Sequence, residues 1–230
     1  MKRIDLNVDI GEGFPFDDGL LEFATSANVG LGEHAGSWEL TLATVEKCRV
    51  RGVRVGAHPG FPDRAGMGRE NPAPDGALEA MESVRSQVER FRSLGPAYVK
   101  PHGALYHLVA GGAAPSELVG LAVAFAYDVV HRYELPLMLL PVGPVAKMAQ
   151  VHGRLIREGF ADRAYLPDGH LAKRGTPGAV LHDPAEIQTQ VVKLAESVDS
   201  ICLHGDTPGC LEFAEQITRT LRDAGYEVGA

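Results

Sequence analysis

Residues 4–10 alternate strictly. Ile4, Leu6, Val8 and Ile10 fall on one face of an extended strand, and Asp5, Asn7 and Asp9 fall on the other. In an antiparallel sheet such a polar row would face water. The rest of the chain argues against that placement, because strand-like runs alternate with helical ones throughout, which specifies a mostly parallel sheet covered by helices. The apolar face must then meet the helices, and the polar face must point into a barrel. Carboxylates buried without partners are strongly destabilising. The row therefore demands cations, a metal or a wet cleft, and Tyr98, Lys100 and His102, on one face of a later strand, supply part of that demand.

Further strands are predicted over residues 24–29, 53–57, 97–100, 137–140, 163–166 and 200–203, with a terminal one at 226–228. Helical patterns separate them. Ser37 caps a helix to about Arg51. Asp75 caps another with Leu78, Met81, Val84, Val88 and Phe91 at helical spacing. Residues 116–132 read as a buried helix, and 144–158 as a helix stopped by Gly159. Asp183-Pro184-Ala185-Glu186 is a start signal, followed by a stripe of Ile187, Val191 and Leu194. Thr207-Pro208 opens the last helix, with Leu211, Ala214, Ile217 and Leu221 on one face. Seven or eight such units favour a closed barrel. No repeat, linker or low-complexity tract interrupts residues 1–230, so one α/β domain is expected, a barrel of about seven parallel strands.

The net charge of -8 argues against nucleic acid or anionic membrane as partner. Cys48, Cys202 and Cys210 form no CxxC pair and read as reduced core thiols. With no apolar leader and no run of the ~20 apolar residues that a membrane helix needs, a cytoplasmic location is expected. GxxxxGK[ST], GxGxxG after a strand, HExxH and GxSxG are absent, which disfavours a P-loop, a nicotinamide enzyme, a zincin and an α/β-hydrolase.

Four strand ends run into ionisable groups bordered by glycine: Asp9 before Gly11-Glu12-Gly13, His58-Pro59-Gly60, Lys100-Pro101-His102-Gly103, and His204-Gly205-Asp206. A parallel barrel gathers such ends on one rim, where active sites sit. His58, His102 and His204 suit acid–base work or metal ligation, with Asp9, Glu12 and Asp206 as carboxylates beside them. Lys100 suits an oxyanion, or pairing with Asp5 or Asp9. His34, in a glycine-rich loop before a helix, suits an anion there. Asp63, Arg64 and Arg69, in the loop 58–74, suit a lid or a carboxylate clamp. His107, His131, His152 and His182 lack this context and receive no role.

The segments DLNVDIGEG (5–13), ANVGLGEHAG (27–36), GAHPGFPDRAGMGR (56–69), VKPHGALY (99–106), FADRAY (160–165), PGAV (177–180) and ICLHGDTP (201–208) recur in order over nearly the whole chain, and together they resemble the LamB/YcsF family. Its members act as the A component of the bacterial ATP-dependent 5-oxoprolinase. The resemblance implies an irregular (β/α) barrel of the glycoside hydrolase/deacetylase type. It also implies opening of the 5-oxo-L-proline lactam to L-glutamate, with ATP going to ADP and phosphate, in a complex with 5-oxoprolinase subunits B and C. On this reading Asp9 or Asp206, with His102 or His204, activates water, and Lys100 steadies the oxyanion or phosphate. Asn7, Glu12, His34, His58, Arg64 and Arg69 bind substrate, with Arg64 or Arg69 on its carboxylate. Val8 and Leu31 stand where the family usually has cysteine, Glu33 where it has an aromatic and Ser37 where it has aspartate. One rival reading is a stand-alone metal-dependent amide hydrolase or deacetylase, with a divalent ion on Asp9, His58 and His102. The other is a non-catalytic protein that only completes another enzyme's site.

Overall fold

The first strand, β1 (Lys2–Ile10), closes the structure on itself. In this computed structural model, which describes residues 2–206 and 208–230, β1 pairs in parallel with both β2 (Ser26–Gly30) and β7 (Ser200–His204). Between those two run β3 (Arg54–His58), β4 (Tyr98–Val99), β5 (Leu137–Leu139) and β6 (Leu155–Phe160), each parallel to its neighbours. The result is the expected closed seven-stranded (β/α) barrel. An eighth strand, β8 (Tyr226–Val228), adds in parallel to Lys2–Ile4 at the start of β1.

The covering helices are α1 (Asp17–Leu20), α2 (Trp38–Arg51), α3 (Ala77–Arg92), α4 (Gly103–Val109), α5 (Ser116–Tyr127), α6 (Gly143–Val151), α7 (Pro184–Ala195) and α8 (Cys210–Asp223). A π turn over Asp128–Arg132 prolongs α5. Two predicted caps form: Ser37 accepts from the Leu40 N–H at 3.2 Å, and Asp183 from the Ala185 N–H at 2.8 Å. Asp75 caps nothing; it lies within a short 3-10 turn, Pro74–Gly76, ahead of α3, and Leu78 is 57% exposed rather than buried. Leu194 and Leu211 are only partly buried, while Ile187, Val191, Ala214, Ile217 and Leu221 fill the core. Thr207 lies outside the described residues, and α8 begins at Cys210.

One expected strand is misplaced. The sixth strand is Leu155–Phe160, not 163–166, because the preceding helix stops at Val151 and not at Gly159. The stop is Gly153, at φ 65°, from which the Arg154 N–H turns back onto Ala149 O at 2.8 Å. Arg163 and Tyr165 instead make single antiparallel bridges, to Val180 and Leu171. The correction turns Glu158 from a helix residue into a fully buried strand residue.

Alternation along β1 places Ile4, Leu6, Val8 and Ile10 in the outer core and sends the polar row inward. Each inward group finds partners. Asp5 accepts from Thr25 Oγ1 at 2.6 Å, Ser26 Oγ at 2.7 Å and Ser200 Oγ, and pairs with Arg54 at 3.3 Å. Asn7 donates to Ser200 Oγ at 2.7 Å, and Asn28 donates to both Asn7 and Asp9 at 2.7 Å. Tyr98 spans the interior to donate to Asn28 Oδ1 at 2.7 Å. Its ring lies where a side chain on Gly56 would be, since a Cβ there would stand 2.1 Å from Tyr98 Cε2. Gly56→Ala is therefore expected to cost about 1–3 kcal/mol, read as a lower urea midpoint at unchanged m-value.

Candidate active site

The C-terminal ends of the strands open onto a cavity of about 590 Å³. Asp9, Glu12, His58, Arg69, Lys100, His102, His204 and Asp206 all line it, so the strand-end groups singled out by the sequence do meet on one rim.

Lys100 forms the floor. Its ammonium sits 2.9 Å from Asp9 Oδ1, 2.8 Å from Glu158 Oε1, 3.3 Å from Asn7 Oδ1 and 3.0 Å from Cys202 Sγ. An ammonium has three hydrogens, and these acceptors engage them all. Lys100 thus fixes the carboxylates, and none of its hydrogens points freely at an oxyanion. Burial by itself would raise the Asp9 carboxyl, but Lys100, then His58 and His204, outweigh it and hold Asp9 well below the ordinary carboxylate range. Burial would likewise lower Lys100, and Asp9, Cys202 and Glu158 hold it well above its usual value. Asp9 is therefore ionised and Lys100 charged. Glu158 also accepts from Tyr106 Oη at 2.8 Å. The apolar spacing of 144–158 hides this residue in the sequence, because it extends a helix over it.

His58 and His102 face each other across 3.0 Å, Nε2 to Nδ1. Their other nitrogens are both engaged: the His58 Nδ1–H donates to Lys100 O at 2.8 Å and the His102 Nε2–H to Met67 O at 2.7 Å. The two facing nitrogens would then carry lone pairs, which repel unless a proton or a cation lies between them. Glu12 Oε1 joins them, 3.8 Å from His58 and 3.4 Å from His102, and accepts from His34 at 3.1 Å. Burial would lower His58, yet Asp9 keeps its pKa raised, whereas burial, His34 and His58 push His102 well down. A proton on His58 is thus one solution. A divalent ion is another: two imidazoles oriented by backbone carbonyls, with a carboxylate, fit a metal such as zinc. The carboxylate of this set is Glu12. Asp9, expected as the third ligand, lies 3.5 Å from His58 and is already engaged by Lys100 and Asn28.

His204 is oriented from behind. Its Nδ1 lies 2.9 Å and 3.2 Å from the two oxygens of buried Asp162, and Phe160 stacks on its ring. An acceptor at Nδ1 leaves Nε2 facing the cavity, 3.9 Å from Asp9 Oδ2. Asp162 carries no signal of its own in the sequence beyond the motif FADRAY.

The same cavity is lined by Arg69, Arg163, Lys173 and Arg174. Asp206 pairs with Arg69 and, at 3.4 Å, with Arg174, which ties it to the cations rather than to Asp9 and the histidines. Three expected substrate contacts lie elsewhere. Arg64 donates to Gly32 O and Gly36 O at 2.5 and 2.6 Å, bracing the loop before α2. Asn7 is committed to the barrel interior. His34 is buried behind the rim, stacked on His102 at 4.0 Å and paired with the Glu12 carboxylate at 3.1 Å. Val8 and Leu31 are core residues, Glu33 is exposed and Ser37 is a helix cap; none of the four lines the cavity.

His107, given no role from sequence, also lines the cavity. Burial, then Arg163 and Arg174, push its pKa down to about 4. With the folded value below the unfolded one, the unfolded chain binds the extra proton, so this group lowers stability as pH falls from about 6.5 toward 4. The loss is on the order of 2–3 kcal/mol. His107→Gln is expected to flatten the acid limb by that amount, measured by urea unfolding at neutral and acid pH.

A model of the LamB/YcsF family matches residues 4–230. A Bradyrhizobium diazoefficiens protein named as a 5-oxoprolinase subunit is 36% identical over 258 residues, covering 99% of this chain and 97% of its own. The crystal structure of a lactam utilization protein from Thermus thermophilus superposes with a TM-score of 0.77 at 32% identity, over the full length of both chains. A family 4 carbohydrate esterase from Streptomyces lividans shares the fold alone, at 12% identity, TM-score 0.52, 100% of this chain and 92% of its own. With its family motifs arranged around one barrel rim, the chain belongs to the LamB/YcsF family.

Proposed function

We propose that this chain opens the lactam of 5-oxo-L-proline to L-glutamate, with ATP going to ADP and phosphate, as one component of a 5-oxoprolinase completed by subunits B and C. The observation that supports this most is the full-length relationship to proteins named as 5-oxoprolinase subunits, in a chain whose strand ends build a cavity for proton transfer. No helix among the described residues is long and apolar enough to cross a membrane; we place the complex in the cytoplasm.

A five-membered lactam is an unstrained amide. Phosphorylating its oxygen with ATP makes the ring carbon electrophilic and couples hydrolysis to a favourable reaction. Water then adds to that carbon and the C–N bond breaks as the nitrogen takes a proton, which leaves glutamyl phosphate; a second water cleaves this acyl phosphate to the glutamate carboxylate and free phosphate. His204, with Nδ1 held by Asp162, takes the proton of the attacking water at Nε2 and returns it to the ring nitrogen. Asp9, kept anionic by Lys100, orients that water and stabilises the imidazolium. Glu12, His58 and His102 would hold a divalent ion, which supplies Lewis-acid polarisation of the lactam or phosphoryl oxygen when bound.

The test is glutamate release from 5-oxoproline by the purified chain, with and without ATP, the partner subunits and a chelator. Release that needs ATP and partners is expected. Amide cleavage by the isolated chain without ATP would establish a stand-alone hydrolase instead, and no release beside an active relative would remove the reaction from this chain.

A further inference from the structure

The cationic wall of the cavity takes no part in the proton transfers above. Arg163 lines it and is 2% exposed. Its Nε and Nη2 donate to Ala179 O at 3.2 Å and Ala172 O at 2.6 Å. Carbonyls satisfy those hydrogens without cancelling the charge. The neighbouring Asp162 attracts this guanidinium from a distance, but among the described residues no carboxylate lies within ion-pair distance of it, and Asp206 is held by Arg69 and Arg174. A guanidinium withdrawn from water without a carboxylate in direct contact is costly, and an arriving anion relieves that cost. Lys173, exposed at the same wall, makes no ion pair either among the described residues. The surroundings register the excess: burial and then Arg174 lower Arg163 to about 10, and Arg163 and Arg174 help depress His107.

The backbone fixes where this charge sits. Gln190 Nε2 donates to the carbonyls of Phe160, Ala161 and Arg163 at 2.8, 3.1 and 2.9 Å. The same short stretch places Phe160 on the His204 ring and Asp162 on its Nδ1. Arg163 is therefore locked in sequence beside the group that protonates the ring nitrogen. In 5-oxoproline the carboxylate is borne by the carbon next to that nitrogen, on the side away from the lactam carbonyl. An anchor for it must stand beside His204, while the phosphorylated oxygen points the other way.

We infer that Arg163, assisted by Lys173 and Arg174, binds the substrate carboxylate and so selects 5-oxoproline over uncharged lactams. The assignment deepens the proposed function and rests on it. It replaces Arg64, which faces backbone carbonyls, and Arg69, which Asp206 already neutralises.

The test compares 5-oxoproline with 2-pyrrolidinone, the same ring without its carboxylate, the latter as a competing ligand of the assembled complex. Arg163→Gln is expected to raise the KM for 5-oxoproline roughly 10- to 100-fold, as for loss of a charge-assisted contact. The Ki of 2-pyrrolidinone should move less than about 3-fold by the same reasoning. Arg163→Lys should recover part of the loss. Lys173→Met, at an exposed position that cannot compromise folding, should raise the KM for 5-oxoproline alone by a smaller factor. Equal losses on both ligands, or a raised KM for ATP with that for 5-oxoproline unchanged, overturn the assignment. If the wild-type complex releases no glutamate, the functional reading fails separately. Calorimetric binding of 5-oxoproline to wild-type and Arg163→Gln chains then decides this one, equal affinities overturning it.

Discussion

Lys100→Met is expected to destabilise the barrel by about 3–5 kcal/mol, the range for removing one partner from a buried ion pair. The substitution nearly preserves volume and removes only the charge. Asp9 and Glu158 then face each other across the interior with no cation between them. The pH dependence carries the sharper signature. In the wild type Asp9 titrates below its unfolded value, so its contribution is present above the unfolded pKa and is lost as pH falls through the folded one. Without Lys100, burial dominates and the Asp9 pKa rises above the unfolded value. The folded chain then binds the extra proton, and the variant gains stability as pH is lowered from neutral toward 5, opposite to the wild-type slope from this group. Urea unfolding at several pH values reads both effects. Adding Glu158→Gln should restore more than half of the loss, because the two acids share one cation and their effects are not additive. A single variant within about 1 kcal/mol of wild type would mean that water already screens this floor.

The barrel and much of this floor are legible in the sequence because two periodicities conflict there. Period-2 alternation in residues 4–10, set within a chain of parallel strand–helix units, forces Asp5, Asn7 and Asp9 inward, and the interior supplies Lys100, Asn28, Arg54 and the hydroxyls around them. The rim histidines are legible because each ends a strand next to glycine or proline. What is not legible depends on backbone geometry that residue types do not announce. Gly153 stops a helix that hydrophobic spacing alone would continue, and that error hides Glu158 and moves the sixth strand past Asp162, to begin at Arg163. Arg64 and Arg69 look alike in sequence, both in one glycine-rich loop. Only the fold shows one bracing carbonyls and the other neutralised by Asp206. Likewise Glu12 and Asp9 are equivalent acids at one strand end until Lys100 engages Asp9, leaving Glu12 to face the histidines.

Asp162→Asn is expected to lower kcat by about 10³–10⁴-fold while leaving the KM for 5-oxoproline within a few-fold, the pattern of a histidine held in the wrong tautomer. Asp162 touches none of the reacting atoms in this scheme and acts through His204. As a carboxylate it only accepts, so its position 2.9 Å from Nδ1 keeps the hydrogen there and the lone pair on Nε2, toward the cavity. Asparagine is nearly isosteric but brings an NH₂ that donates. It favours the opposite tautomer, with hydrogen on Nε2, and removes the negative charge that stabilises the imidazolium. Some stability is lost as well, about 1–3 kcal/mol, since Asp162 is fully buried and hydrogen-bonded. A folding defect and a catalytic one separate in two ways. A thermal midpoint measured alongside kcat fixes the folded fraction. His204→Gln combined with Asp162→Asn should be no slower than His204→Gln alone, because a residue acting only through another has nothing left to act on. If the double variant is slower than His204→Gln by another factor of about 10 or more, Asp162 has a task independent of His204, and the assignment of His204 as the proton carrier must be given up.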